Sequence, residues 1–238
     1  EFYEAWAADF TIGGRAPRAG EIFKYKGMAE TLEELGRTNC ESFYRGAIAD
    51  AIDSYSRETG GYLRKEDLAA YKAQWVEPIT TNYRGYDVWE IPPNGHGIVV
   101  LMALNILEGM DLSAGHDDPE TAHKIMEALK LAFTDGKRYV ADPRAMKPTV
   151  EQLLSRDYAA KRRALIGSTA LEPKPGTPYC GDTVYLNAAD GDGNMISYIQ
   201  SIYCGFGSGT VLPGTGIVFH NRGNNFTMDE TMENCVAP

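Results

Sequence analysis

Gly181-Asp182-Thr183-Val184-Tyr185-Leu186 marks the point where the pattern of the sequence changes from mainly helical to mainly β. Before it, residues 167–181 hold three prolines and three glycines without periodicity, which predicts a linker or mobile loop. After it, apolar and polar residues alternate over Val184–Ala189 and Met195–Tyr203. This alternation predicts two strands joined by a turn at Asp190–Asn194. The stretch therefore joins a linker to the first strand of a β-rich region.

The residues upstream of the linker show mainly the 3.6-residue period of amphipathic helices. We expect residues 1–25 to be irregular or docking structure and a short helix to open near Lys65. A further short strand is expected over Ile217–Asn221. The other predicted elements are helices over Lys26–Gly36, Glu41–Thr59, Ile98–Glu108, Pro119–Tyr139 and Glu151–Ile166, and paired strands over Pro78–Asn82 and Gly85–Ile91. The sequence predicts an α+β fold, with a mainly helical part over 1–182 and a mainly β part over 183–238.

Charge and hydropathy limit the partners of the protein. The 238 residues include 33 acidic and 23 basic side chains, a formal charge of −10, which disfavours binding to nucleic acid. No run approaches 18 apolar residues, so we expect no membrane span. The first residues, Glu1-Phe2-Tyr3-Glu4, do not read as a signal peptide and resemble the middle of a longer chain. The compartment is therefore left open.

Several weak motifs have an ordinary structural interpretation. The four cysteines lack metal-ligand spacing, so we expect no metal and no cofactor, and we keep a Cys180–Cys204 disulfide as a minor alternative. Asp190, Asp192 and Asn194 imitate a calcium loop, but a hairpin turn explains them better. The glycines of 205–209 lack the helix that a dinucleotide loop requires. Ser208, between two glycines of that segment, is a minor candidate nucleophile.

Thr183 has both an ordinary and a functional interpretation. A threonine at the start of a strand is usually only a β-branched strand residue. As a nucleophile, its hydroxyl needs a base close by. If the chain is cut before Thr183, the new α-amine supplies that base, because the pKa of an α-amine lies at about 7.7–8.0. Asp182–Thr183 is then the cleaved bond. The flexible linker upstream allows the new N-terminus to separate, and the predicted strand that follows Thr183 keeps that N-terminus in place.

Two sets of short motifs follow one another along the chain. The motifs from residue 181 onward are Gly181-Asp182-Thr183-Val184-Tyr185, Asp190-x-Asp192-Gly193-Asn194, Phe206-Gly207-Ser208-Gly209, Thr215-Gly216-Ile217 and Asn221. The upstream motifs are Phe43-Tyr44-Arg45-Gly46, Asp67-Leu68-x-x-Tyr71, Tyr83-Arg84-Gly85-Tyr86, Pro92-Pro93 and Leu104-Asn105-Ile106-Leu107-Glu108. As a set, and in this order, they resemble the γ-glutamyltransferase family of N-terminal-nucleophile hydrolases, and the resemblance covers nearly the whole chain.

The resemblance implies a precursor that cleaves itself before Thr183 into a large and a small subunit, which stay together as a heterodimer. Residues 1–182 would be the later part of the large subunit, and residues 183–238 the start of the small one. Mature Thr183 would attack a γ-glutamyl or similar small-molecule amide, as in glutathione-type substrates, and pass the acyl group to water or an amine. Ser201 falls where the family has a hydroxyl residue that supports the nucleophile. The implied fold is a four-layer αββα sandwich.

Three departures from the family pattern affect the expected substrate. Asn225 stands where the family usually has an aspartate that binds the α-amino group of the substrate, and an amide is a weaker partner for an ammonium. Tyr203 and Arg222 replace smaller polar residues around the γ-glutamyl group, and Asn94–Gly97 replaces a serine-rich turn. An arginine at 222 suits a substrate carboxylate. These changes favour the γ-glutamyltransferase-like or cephalosporin-acylase-like branch.

Against the family, the chain also reads as a central fragment. It lacks the family's N-terminal part, which supplies an arginine for the substrate carboxylate. It also lacks the C-terminal part, which supplies the glycine pair of the oxyanion hole. The loss of one such donor typically costs about 10²–10³ in rate. Three hypotheses follow: a γ-glutamyltransferase-like enzyme, a glutaryl or cephalosporin-type acylase, and an inactive structural fragment.

Overall fold

The computed structural model describes residues 2–172 and 183–236, which form two compact units. Residues 2–73 and 183–224 form unit 1, and residues 74–172 and 225–236 form unit 2. The helices are α1 (Phe2–Phe10), α2 (Lys26–Arg37), α3 (Glu41–Arg45), α4 (Ala47–Glu58), α5 (Lys65–Ala70), α6 (Gly97–Leu107), α7 (Pro119–Tyr139), α8 (Val150–Leu153) and α9 (Arg156–Arg163). The strands are β1 (Ile79–Tyr83), β2 (Tyr86–Glu90), β3 (Thr183–Ala189), β4 (Met195–Ser201), β5 (Val211–Leu212) and β6 (Ile217–Val218), and a 3₁₀ helix covers Arg222–Asn225.

Unit 1 packs helices from the first part of the chain against segments that follow residue 183. Ile48 and Ile52 lie one turn apart on α4, and both are buried against Leu212 of β5. The predicted apolar stripe of α4 is therefore the side that faces the core. The partly buried side chains around this cluster are Leu35, Phe43, Tyr55, Leu68, Ile217 and Phe219.

Two predictions for unit 1 are wrong. Residues 2–10, expected to be irregular, form α1, where Trp6 and Phe10 pack against Phe206 with ring centroids 5.4 and 5.2 Å apart. These contacts join residues about 200 positions apart, so local sequence patterns could not indicate them. The predicted helix Glu41–Thr59 is interrupted at Gly46, where a Cβ would lie 2.9 Å from the Cα of Ser42.

Unit 2 is built around α6, whose residues are apolar on all sides and largely buried. Helix α7 packs along α6, and the β1–β2 hairpin also contacts it. Asn105 is the polar exception on α6: its Oδ1 accepts a hydrogen bond from Thr81 at 2.5 Å, and its Nδ2 donates to the carbonyl of Leu154 at 2.9 Å. The core of unit 2 contains two clusters of buried apolar residues. The first consists of Ile98, Val99, Met102, Ala103, Ala132, Val140 and Leu153. The second consists of Ile106, Leu107, Ala128, Leu131 and Ala159.

The helix boundaries in unit 2 follow local capping. Helix α7 begins after Asp118, whose carboxylate accepts the N–H of Thr121 at 2.8 Å, with proline at the first helical position. The single helix predicted over Glu151–Ile166 is instead two helices. Ser155 separates them, because its hydroxyl caps the start of α9 by accepting the N–H of Tyr158 at 3.2 Å. Because Ser155 lies inside a periodic run, the sequence pattern did not indicate that it caps the start of a second helix.

The predicted β3–β4 hairpin is confirmed. The strands pair antiparallel from Thr183 opposite Ser201 to Ala189 opposite Met195. Asp190 closes the turn: its carboxylate accepts the N–H groups of Asp192 and Asn194 at 3.0 and 2.9 Å. Hydrogen bonds to its carboxylate lower the pKa of Asp190, and the one from the Asn194 side chain has the largest effect. The hairpin-turn interpretation of these residues is therefore correct.

Across residues 2–172 and 183–236, the structure contains no helix long and apolar enough to cross a bilayer.

Candidate nucleophile site on the β3–β4 hairpin

The open end of the β3–β4 hairpin brings together two of the predicted catalytic residues. Thr183 is the first residue of β3 and Ser201 is the last residue of β4, and the two are antiparallel partners. The predicted cleavage partner, Asp182, lies outside the described residues, and so does Cys180 of the alternative disulfide.

A tight turn after Ser201 places Tyr203 against it. The backbone N–H of Tyr203 donates to the Ser201 hydroxyl at 2.9 Å. Tyr203 has φ +83°, in the left-handed region that a residue with a Cβ rarely occupies. The side chain of Asn221 holds the next residue, since its Oδ1 accepts the N–H of Cys204 at 3.1 Å. Asn221 belongs to one of the motifs from residue 181 onward, but no local pattern in the sequence indicated this contact.

Arg222 lies over Tyr203 at this end of the hairpin. Its guanidinium carbon is 5.5 Å from the centroid of the Tyr203 ring, within the range of a cation–π interaction. It also donates a long hydrogen bond of 3.4 Å to the carbonyl of Ser201. The backbone N–H of Arg222 donates to Nδ1 of His220 at 3.2 Å. Three predicted site residues, Ser201, Tyr203 and Arg222, are thus in mutual contact, and the exposed guanidinium presents a positive charge there.

Asn225, the remaining predicted substrate residue, ends the 3₁₀ helix Arg222–Asn225. It belongs to unit 2, where its carbonyl accepts a hydrogen bond from the Asn234 side chain at 2.5 Å.

Ser208, the minor candidate nucleophile, is used structurally. Its N–H and its hydroxyl both bond to the carbonyl of Phe219, at 2.8 and 2.9 Å. Gly207 beside it has φ +61°, and a Cβ there would lie 2.4 Å from the same carbonyl oxygen. The glycines of this segment therefore permit close packing of two backbones. Among the described residues, His, Cys, Asp and Glu side chains nowhere gather in threes as a metal site would require.

A family model and individual relatives point to the same protein family. The family described as Gamma-glutamyltranspeptidase matches residues 2–238. A glutathione hydrolase-like YwrD proenzyme of Bacillus subtilis is 37% identical over 230 residues, which cover 96% of this chain and 44% of that protein. An oxamate amidohydrolase proenzyme of Klebsiella pneumoniae is 35% identical, over 100% of this chain and 44% of that protein.

Solved structures agree with the sequence relatives. The crystal structure of cephalosporin acylase from Bacillus halodurans superposes with a TM-score of 0.90 at 54% identity, covering 100% of this chain and 44% of that one. The chain thus spans less than half the length of the relatives that it matches. The match along residues 2–238 and the high similarity to these relatives establish that the chain belongs to the γ-glutamyltranspeptidase family.

Proposed function

We propose that the protein carrying this chain is a γ-glutamyltransferase-like amidohydrolase and acyltransferase that cleaves itself before Thr183 and then uses Thr183 as its nucleophile. One observation carries the proposal: in a member of this family, Thr183 heads a strand directly opposite the hydroxyl residue Ser201. The names of the relatives from Bacillus subtilis and Klebsiella pneumoniae, both proenzymes, support a processed precursor.

Self-cleavage requires only groups of the chain and one water molecule. The Thr183 hydroxyl adds to the carbonyl carbon of Asp182, and its proton passes to the Thr183 nitrogen. The Asp182–Thr183 C–N bond then breaks, so an ester replaces the amide and the α-amine of Thr183 becomes free. Water hydrolyses the ester, which leaves a carboxyl group on Asp182 and restores the Thr183 hydroxyl. Ser201, on the facing strand, is the proposed hydrogen-bonding partner of this hydroxyl.

The mature reaction repeats the same chemistry on a small-molecule amide. The free α-amine of Thr183 takes the proton of its own hydroxyl as the oxygen adds to the substrate carbonyl. The protonated amine then gives its proton to the leaving amine as the C–N bond breaks, leaving an acyl ester on Thr183. Water or a second amine attacks that ester, giving hydrolysis or transfer. No metal or cofactor enters these steps.

The proposed architecture is a four-layer αββα sandwich in which residues 1–182 belong to the large subunit and residues 183–238 to the small one. The β3–β4 hairpin supports this arrangement. Val184 and Tyr185 are neighbours in β3 and so point to opposite faces, yet they are 59% and 57% exposed. A strand with apolar side chains on both faces requires a layer on each side, as the inner sheets of a sandwich have.

The identities of two predicted substrate residues, Arg222 and Asn225, favour an acyl group that carries a carboxylate. Arg222 presents an exposed positive charge beside Tyr203, and Asn225 lacks the negative charge that would pair with an α-ammonium. The proposed substrates are therefore γ-glutamyl amides or amides of related dicarboxylic acids. A glutaryl or cephalosporin-type acylase is the second candidate, favoured by the 54% identity to the Bacillus halodurans cephalosporin acylase. The oxamate amidohydrolase also acts, by its name, on an amide that bears a carboxylate.

Intact mass and N-terminal sequencing of the full-length protein test self-cleavage. We expect a product that begins at Thr183, which divides the present 238 residues into 182 and 56 (238 − 182 = 56). Thr183→Ala should stay uncut, and Thr183→Ser should be cut more slowly. Cleavage of the Thr183→Ala protein at the same bond would disprove the nucleophile assignment. An uncut wild-type protein would favour the third candidate, an inactive structural segment.

Paired substrates test the acyl group. γ-Glutamyl and glutaryl anilides share the leaving group and differ only in the α-amine, so the ratio of their kcat/KM values reports recognition of that amine. We expect the glutaryl anilide to be cleaved at least as well as the γ-glutamyl one. Arg222→Met should weaken both by raising KM about tenfold or more, since a charge-assisted hydrogen bond contributes about 1.5–3 kcal/mol. A clear preference for γ-glutamyl would contradict the roles given to Arg222 and Asn225.

A further inference from the structure

Tyr203 occupies a backbone conformation that its own sequence disfavours. Its φ of +83° puts the Cβ close to backbone atoms, and the residues that usually adopt such angles are glycine, asparagine and aspartate. The turn is nevertheless placed next to the Ser201 hydroxyl, which accepts the Tyr203 N–H at 2.9 Å. Surrounding contacts must therefore hold the turn in place, since strained conformations persist only where neighbouring structure imposes them.

Asn221 supplies those contacts. Its Oδ1 accepts the N–H of Cys204 at 3.1 Å, and its Nδ2 donates to the carbonyl of the same residue at 3.4 Å. Its own backbone N–H donates to the carbonyl of Ile202 at 3.3 Å. The orientation of the carboxamide is fixed by chemistry, because the Cys204 N–H can only donate and so must face the oxygen. One residue thus holds the chain on both sides of Tyr203.

The consequence reaches the Ser201 hydroxyl. This oxygen receives the Tyr203 N–H, so the direction of its remaining lone pair and of its own proton is restricted. Ser201 is also the strand partner of Thr183. A hydroxyl that already accepts a hydrogen bond from a backbone N–H is oriented before the reaction begins. Such a preorganised group can act on the reacting atoms without first having to reorient.

We propose that Asn221 is a positioning residue for the Thr183 reaction: it holds residues 202–204 so that the Tyr203 N–H fixes the Ser201 hydroxyl opposite the nucleophile. The inference rests on the proposed function and adds a residue to which neither the family match nor the relatives assign a role. Asn221 acts through Tyr203 and Ser201 and need not touch the substrate.

The test compares Asn221→Ala with Asn82→Ala in the full-length protein. Asn82 is a matched control, because its side chain also braces a hairpin turn, through the Gly85 N–H at 3.2 Å and Asp87 at 2.8 Å, in unit 2. We expect Asn221→Ala to lower the rate of self-cleavage and kcat by about 10- to 100-fold, with KM changed less than about threefold. Asn82→Ala should leave all three within about twofold.

A double-mutant cycle separates positioning from general loss of structure. If Asn221 acts through Ser201, adding Asn221→Ala to Ser201→Ala should cost less than about threefold, because the hydroxyl to be oriented is already gone. Tyr203→Gly should recover part of the self-cleavage lost in Asn221→Ala, since glycine adopts the positive φ without support. Additive losses in the cycle, or wild-type cleavage by Asn221→Ala, would overturn the proposal.

The Asn221→Asp variant and the N-terminus of the wild-type product complete the test. Asn221→Asp keeps the acceptor for the Cys204 N–H and loses only the longer donor contact, so it should fold and lose less activity than Asn221→Ala. If Asn221→Ala does not fold, Asn221→Asp replaces it in the cycle with Ser201→Ala, and a loss of rate that is equally large with and without the Ser201 hydroxyl would refute positioning. A wild-type protein that never yields an end at Thr183 would refute the proposed function, and the positioning role with it; failure of the cycle in a protein that does cleave refutes the positioning role alone.

Discussion

Ser201 stands opposite Thr183 at the open end of the β3–β4 hairpin. Since the two residues meet only across paired strands, the contact depends on the register of the hairpin, and a slip of one residue would move Ser201 to the other face. The turn at Asp190, with two backbone N–H groups bound to one carboxylate, fixes that register. The pairing of Thr183 with Ser201 is thus set seven residues away from Thr183, at the far end of the hairpin.

The first prediction concerns the Ser201 hydroxyl. Ser201→Ala should slow self-cleavage and substrate turnover by about 10- to 100-fold, the loss expected for one hydrogen bond to a reacting group worth about 1.5–3 kcal/mol. Ser201→Thr keeps the hydroxyl and suits a strand, so it should retain most of the rate. The rates are measured by intact mass over time. Equal rates for the alanine and threonine variants would show that the hydroxyl has no part in the reaction.

The second prediction concerns the charge at position 225. Asn225→Asp restores the carboxylate that the family resemblance associates with the α-amino group of a γ-glutamyl substrate. The ratio of kcat/KM for γ-glutamyl over glutaryl anilide should rise by about tenfold, since an added ion pair with the ammonium contributes on the order of 1 kcal/mol or more. Asn224→Asp adds the same charge one residue away and serves as the control. An equal shift in both variants would indicate a general field effect and not recognition by residue 225.

The sequence indicated the elements whose signal is local. Strand alternation and the Asp190–Asn194 turn predicted the hairpin that pairs Thr183 with Ser201, and the cap at Asp118 predicted the start of α7. The Ser201–Tyr203–Arg222 contact could be expected only through the family resemblance. Composition alone left Thr183 an ordinary strand residue.

Two of the features that were missed depend on contacts distant in sequence. Helix α1 is held by packing of Trp6 and Phe10 on Phe206, and the Asn221 brace depends on a turn that forms 17 residues earlier. The break at Gly46 is local, but a single glycine inside a periodic run did not indicate it. Periodicity describes which face of a helix is apolar, but it does not report which distant segment will cover that face.

The third prediction uses Tyr25, which joins the first part of the chain to the segment after the hairpin. Its hydroxyl donates to the carbonyl of Gly216 at 2.5 Å. Burial, and then the negative charge of Asp9, raise the pKa of Tyr25 to about 12 from its ordinary value of 10.0. The unfolded chain therefore releases this proton at lower pH than the folded protein. Stability from Tyr25 is complete below pH 10 and is lost as the pH rises toward 12.

Tyr25→Phe should lower the free energy of unfolding by about 1 kcal/mol at pH 7, because the carbonyl of Gly216 loses its donor. Above pH 10 the difference from wild type should shrink, since the variant has no such proton to lose. Urea unfolding at several pH values measures both effects. Tyr62→Phe is the control, as Tyr62 is 94% exposed and should show neither change. Parallel alkaline losses in wild type and Tyr25→Phe would contradict the assignment.

The last prediction concerns the chain that leads toward the proposed cleavage bond. Two charged side chains of α7 bind both polar groups of the Leu171 backbone: Glu127 accepts its N–H at 3.1 Å, and Lys130 donates to its carbonyl at 2.5 Å. Glu127 is buried, and burial opposes its charge, but the hydrogen bonds from Lys130 and from the Leu171 N–H outweigh this and lower its pKa. The stabilisation is therefore present above the ordinary glutamate pKa of 4.5 and is lost as the pH falls through the lowered value.

Glu127→Gln removes the charge and keeps the shape. The Leu171 amide should exchange its hydrogen at least about tenfold faster, and unfolding should cost about 1–3 kcal/mol less, because a buried charge-assisted contact is lost. Glu120→Gln is the matched control: Glu120 pairs with Lys124 on the same helix, but its side chain is 74% exposed, so its loss should cost less than about 0.5 kcal/mol. Hydrogen exchange followed by mass spectrometry reads residues 166–172 directly and does not depend on cleavage. Unchanged exchange at Leu171 in Glu127→Gln would mean that the chain there is held by the packing of Ile166 and Leu171 on the α6–α7 core alone.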